Sequence, residues 1–119
     1  MLPVLMMAAS AVVAMASIPV PQAQGFGLGM RSCAEFAEQY RANPVVAEDA
    51  YVAWPEGYMS GLNIESAVLN LPERSLSGLD LESLKATIRS YCDGHPLAAY
   101  LDAVTRAYLE RPQLPKNSE

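Results

Sequence analysis

Charge is missing from the opening quarter of this chain: residues 1–30 contain no Lys, Arg, Asp or Glu. Histidine occurs once and cysteine twice, and no glycine-rich phosphate loop is present. Each absence removes a class of function. A Ser-His-Asp or Cys-His centre would have to rest on His95 alone. Cys92, Asp93 and His95 lie close together, but no second cluster accompanies them to complete a metal site. Lys and Arg number 8 against 13 Asp and Glu, and the formal net charge of -5 leaves no basic patch, which argues against nucleic acid as a partner. No sustained alternation of apolar and polar residues marks a strand. The paired carboxylates Glu35 and Glu38, Glu48 and Asp49, and Asp80 and Glu82 fall on predicted solvent faces, away from any cleft that acid-base chemistry would need. No catalytic residue, cofactor or metal is expected, and the chain is not expected to be an enzyme.

The charge-free opening has a positive content. Leu2 to Val20 is almost continuous Leu, Val, Met and Ala, the apolar core of a secretory signal. Ala14 and Ala16 form one small-residue cleavage site and Ala23 a later one. Residues 1–24 are assigned to the signal peptide and 25–31 to a flexible segment. An uncleaved anchor is the alternative, since the run approaches bilayer-spanning length. Pro3, Pro19 and Pro21 speak against it, and no stable membrane insertion is expected after cleavage. The destination is periplasmic or secreted.

Export makes the two cysteines informative. Cys33 and Cys92 both lie in the mature part, where the compartment is oxidising, and they are expected to pair rather than remain buried thiols. Closing a loop of that length restrains the unfolded chain by about 4 kcal/mol in the chain-entropy account.

The remainder reads as one all-α domain, 32–111: a small four-helix orthogonal bundle stapled by one disulfide and followed by a disordered tail, 112–119. Ser32 and Glu35 form a capping box that starts a first helix at Cys33, with Cys33, Phe36, Ala37 and Tyr40 inward, until Pro44 interrupts it near Asn43. A longer helical stretch, Val45 to about Asn70, presents Tyr51, Trp54, Tyr58, Leu62 and then Val68 or Leu69 as its buried stripe. Pro55 is expected to bend or restart it at 53–55. After a loop from Leu71 to Gly78, Asp80 caps a third helix, Leu81 to Cys92, with Leu84, Ile88, Tyr91 and Cys92 inward and Gly94 at its end. His95 and Pro96 open a fourth, Leu97 to about Arg111, burying Leu97, Leu101, Val104 and Tyr108, and Pro112 stops it.

The stretch Trp54 to Asn63 organises the rest, because it places the only tryptophan, a tyrosine and two glycines on one helix. Gly57 and Gly61 are one turn apart, and each costs about 1 kcal/mol against alanine in a helix interior. Close approach of another helix of this chain is the expected compensation, and a binding face is the alternative. Trp54, Gly57, Tyr58, Ser60, Gly61 and Asn63 are therefore the motif to follow.

With Cys33 and Phe36, Trp54 to Asn63, Asp80, Tyr91 and Cys92, and finally Pro96, Asp102, Ala103 and Val104, the layout resembles small periplasmic proteins of the HdeA-like group. Tai-type immunity proteins of type VI secretion share the Gly57, Tyr58 and Gly61 pattern. The first resemblance implies a chaperone, folded and idle near neutral pH, that loosens in acid and holds unfolding clients, with a homodimer as resting state. With every carboxylate protonated, the 8 Lys and Arg and 1 His bring this chain to at least +9, enough for strong self-repulsion. The second resemblance implies an inhibitor of a toxic cell-wall hydrolase. An accessory structural role is the third option. Either resemblance makes the partner a protein, an unfolded client or a toxin.

Overall fold

The computed structural model describes residues 24–116 and is all-helical. A short 3-10 turn, Leu28–Met30, precedes four α-helices: α1 Cys33–Ala42, α2 Pro44–Val68, α3 Leu81–Gly94 and α4 Tyr100–Leu109. Among the described residues the only β-type pairings are two isolated bridges, Ser32 with Ala99 and Arg74 with Gln113. The signal peptide expected over 1–24 lies, save for Gln24, outside the described residues, as does the end of the tail, 117–119.

The start of α1 explains why the chain after α3 is not helical. A helix begins with four backbone donors that lack intrahelical partners. Here the Glu35 N–H donates to Ser32 Oγ and the Phe36 N–H to the Ser32 carbonyl, while the Glu35 carboxylate accepts from the Ser32 N–H, completing the capping box. The Cys33 and Ala34 N–H groups donate to the carbonyls of Ala98 and Pro96, at 2.8 and 3.0 Å. The segment 95–99 is thus held as a turn against α1. His95 is the C-cap of α3 rather than a helix start, and α4 begins only after Ala99. Leu97, expected inward, is 97% exposed, and Tyr100 takes the buried place. The Cys33–Cys92 disulfide, Cα atoms 4.8 Å apart, ties the two elements at the same point.

Asn43 serves two helices. Its N–H donates to the Gln39 carbonyl and closes α1, and its side-chain oxygen accepts from the Val46 N–H and opens α2. Pro44 follows the end of α1, as expected, and is also the first residue of α2, a position where its missing N–H costs nothing. The helix does not restart at Pro55, since α2 continues as one helix through it. An interior proline costs about 3 kcal/mol. Burial offsets it: Ala47, Tyr51, Pro55 and Met59 recur every four residues, and all four are buried.

That stripe corrects the expected one. Tyr51 is fully buried, but Trp54, Tyr58 and Leu62 only border the core, and Val68 and Leu69 are exposed. The centre of the core is aromatic, with Phe36, Tyr51 and Tyr100 ring centroids 4.8 to 5.1 Å apart in tilted and edge-on pairs. Leu84, Ile88 and Cys92 from α3 and Ala103, Val104, Ala107 and Tyr108 from α4 complete it.

Both flanks of the domain are more tightly held than their composition implies. Residues 25–31 wrap over Trp54: the indole Nε1–H donates to the Phe26 carbonyl at 3.1 Å, and Gly29 lies so close to the ring that a Cβ there would overlap it. At the other end the expected tail returns, with the Leu114 N–H donating to the Glu73 carbonyl and the Ser75 N–H to that of Pro112, both at 2.8 Å.

Candidate docking face on the second helix

The six motif residues divide into two sets of opposite role. Trp54, Tyr58 and Asn63 face inward. The Trp54 and Tyr58 rings stack at 5.1 Å, and the Tyr58 hydroxyl meets Thr105 Oγ1 at 3.2 Å, joining α2 to α4. Asn63 is a clamp. Its amide donates to the Arg74 carbonyl at 2.8 Å, and its oxygen accepts from the Arg74 N–H and from the Tyr108 hydroxyl. Arg74 in turn donates to the carbonyls of Leu109 and Arg111, and Arg111 to those of Ser75 and Ser77. The loop 71–78 is thereby pinned to the end of α4.

Gly57, Ser60 and Gly61 point the other way. All three are exposed, and a Cβ built on either glycine has no neighbour within 4 Å. The internal close approach expected for them is absent among the described residues. The glycine that does meet an aromatic ring is Gly29, in the segment before α1, and Gly27 beside it adopts a φ of 89° that favours glycine.

Around these glycines lies a face that the sequence reading passed over. At 100° per residue, positions 46, 50, 53, 57, 61, 64 and 68 fall within a narrow arc, and every one of them is exposed. Val46, Ile64 and Val68 are 61, 66 and 79% exposed, and Ala50, Ala53, Gly57 and Gly61 fill the rest. The stripe carries no charge and runs about 33 Å at 1.5 Å per residue. Its signal was in the sequence as spacings of three and four among uncharged residues, but the larger rings of Trp54 and Tyr58 suggested a buried stripe rotated away from it.

Charge borders the face on both sides. The charged residues of α2 are Glu48, Asp49, Glu56 and Glu65, all acidic, and no Lys or Arg occurs between Arg41 and Arg74. Glu48 is paired with Arg89, whose guanidinium also lies 5.2 Å from the Tyr40 ring centroid. Hydrogen bonding to Glu48 raises the Arg89 pKa. Asp49 lies 3.8 Å from Lys85 Nζ. Glu56 and Glu65 make no ion pair among the described residues.

Elsewhere the surface offers shallow ground. A hollow of about 550 Å³ between α3 and α4 is lined by Ser90, Tyr91, His95 and Arg106. There the His95 ring stacks on Tyr91 at 4.1 Å, and its Nδ1 lies 2.8 Å from the Tyr91 carbonyl oxygen, so that nitrogen carries the hydrogen. Among the described residues no three His, Cys, Asp or Glu side chains converge as metal ligands, and no helix is long and apolar enough to cross a membrane. The arrangement is suited to holding another polypeptide along α2.

Comparison with protein-family models, with curated proteins and with solved structures finds no match.

Proposed function

We propose that this chain is an exported, non-enzymatic protein-binding domain that works in the periplasm and holds other proteins along the open side of α2, in the manner of the HdeA-like chaperones its sequence resembles. The observation that carries this reading is the uncharged face from Val46 to Val68, with two glycines at its centre that nothing among the described residues covers. Apolar side chains left open in a row mark a surface made to be covered. The disulfide supports export, because such bonds persist in oxidising compartments. Acid has a place to act: the Glu48–Arg89 and Asp49–Lys85 pairs join the start of α2 to α3, and protonating the carboxylates removes both. The test is client aggregation followed by light scattering at neutral pH and at about pH 2–3, below ordinary carboxylate pKa values. Suppression by the oxidised protein, lost on Ile64→Asp, is the expected result. Unchanged client aggregation at both pH values, with the protein itself soluble, would overturn the reading.

One observation favours an inhibitor instead. The loop 71–78 is fixed at both ends by Asn63, Arg74 and Arg111, and a rigid loop suits insertion into the cleft of a toxic hydrolase. Binding to such an enzyme that is abolished by changes in 71–78 and untouched by Ile64→Asp would select that reading.

A further inference from the structure

The open side of α2 has a charge pattern that chooses its occupant. Asp49 and Glu56 border the apolar stripe on one side and Glu65 on the other, with no cation anywhere on the helix. Flanking charges of this kind set partner identity in helix pairs, while the central stripe supplies contact. A second copy of this chain fits poorly. Packed antiparallel about Gly57 it would bring Glu56 against its own counterpart, and packed parallel it would set the Asp49 and Glu56 flank against the Glu65 flank, acid facing acid either way. An anionic lipid surface is repelled for the same reason.

We infer that α2 docks a cationic amphipathic helix of another protein, one with small or apolar residues along its seam and Lys or Arg on both flanks. The inference rests on the protein-binding reading and names the class of partner. Gly57 and Gly61 leave open space at the middle of the stripe, so the two backbones can meet at the short end of the usual separation of about 8–10 Å. Val46, Ile64 and Val68 then cover the seam at either end. Glu56 and Glu65, free of ion pairs among the described residues, meet the partner's cations at the rim.

The experiment uses the oxidised protein and four synthetic helices, read by anisotropy of a label on each peptide. One has an Ala/Leu seam with Lys flanks, the second the same seam with Glu flanks, and the third Lys flanks with a scrambled seam. The fourth is the α2 sequence itself, 44–68. The Lys-flanked helix should bind at least about tenfold more tightly than each of the others. Glu56→Lys combined with Glu65→Lys should reverse the preference between the first two. Gly57→Leu should weaken binding about tenfold while circular dichroism stays unchanged. Equal binding of the Lys- and Glu-flanked helices, full binding of the scrambled seam, or tightest binding of the α2 sequence would overturn the inference. Client aggregation is measured on the same proteins. A chain that selects the cationic helix yet holds no client leaves this inference standing and removes the holding reading, whereas client holding with no charge preference does the reverse.

Discussion

The two sides of α2 obey different rules within one helix. On the inner side Ala47, Tyr51, Pro55 and Met59 are buried, and Tyr51 and Met59 belong to the core built with residues of α1, α3 and α4. On the outer side Val46, Ile64 and Val68 are left mostly exposed, and among the described residues the two glycines there have open space where a side chain could stand. The inner side tolerates even a proline because packing offsets it. The outer side keeps two poor helix formers without any such return inside the chain, which is the pattern of stability given up for a surface that works on something else.

The largest test of this contrast is a pair of substitutions. Tyr51→Ala should destabilise by about 3–5 kcal/mol, as removal of a buried ring does, whereas Ile64→Ala should stay within about 0.5 kcal/mol because its side chain is mostly exposed. Chemical denaturation of both variants reads the difference. Similar losses at the two positions would show that the outer face is covered. Next in size is the bridge. Reduction, or Cys92→Ala, should cost about 4 kcal/mol by freeing a loop of 59 residues in the unfolded chain, measured as a shift in denaturation midpoint with and without reductant. Asn63→Ala should cost about 1–3 kcal/mol, because it leaves the buried ends of the Arg74 and Tyr108 bonds unmatched. Its amide exchange should rise at residues 73–76 and not along α1.

Acid separates the helix caps from the α2 flank. The Glu35 carboxylate accepts the Ser32 N–H and Asp80 the Ser83 N–H, and these backbone bonds hold both pKa values below the ordinary carboxylate range. A group whose pKa is lower folded than unfolded adds stability above its unfolded pKa, and that stability is lost as pH falls through its folded value. Glu35→Gln and Asp80→Asn should therefore lower the melting temperature at pH 6, and the gap to the parent should narrow as pH falls below the ordinary carboxylate range. A gap that persists at acid pH would show that the caps act through packing rather than charge.

Much of the architecture was legible because its signals are local. Ser32 with Glu35, Asp80 with the Ser83 N–H, Gly94 at the end of α3 and the two cysteines each declare themselves within a few residues or by elimination. What stayed hidden depended on distant partners. Nothing near Leu97 says that Ala98 and Pro96 must lend their carbonyls to α1, and nothing near Pro55 says that its ring faces a core able to hold the helix through it. Asn63 read only as a motif residue and Trp54 only as part of a buried stripe, because their partners, Arg74 and Tyr108 for one and the Phe26 carbonyl for the other, are 11 to 45 residues away. The open face was written plainly as uncharged residues at helical spacing. It was outweighed by the aromatic rings beside it, whose size made the neighbouring arc look like the buried one.

The smallest effect bears most directly on the contrast. Gly57→Ala and Gly61→Ala place a methyl group where, beyond the helix's own backbone, no atom of the described residues lies within 4 Å, so the change meets no clash. It removes backbone freedom from the unfolded chain and adds helix propensity, which together stabilise by up to about 1 kcal/mol at each site. A glycine kept for packing inside the chain would give the opposite sign, because the methyl would push a neighbour away. Denaturation of the double variant therefore decides by sign alone: a raised midpoint, accompanied by weaker binding of a Lys-flanked helix, assigns the glycines to a partner, and a lowered midpoint returns them to the fold.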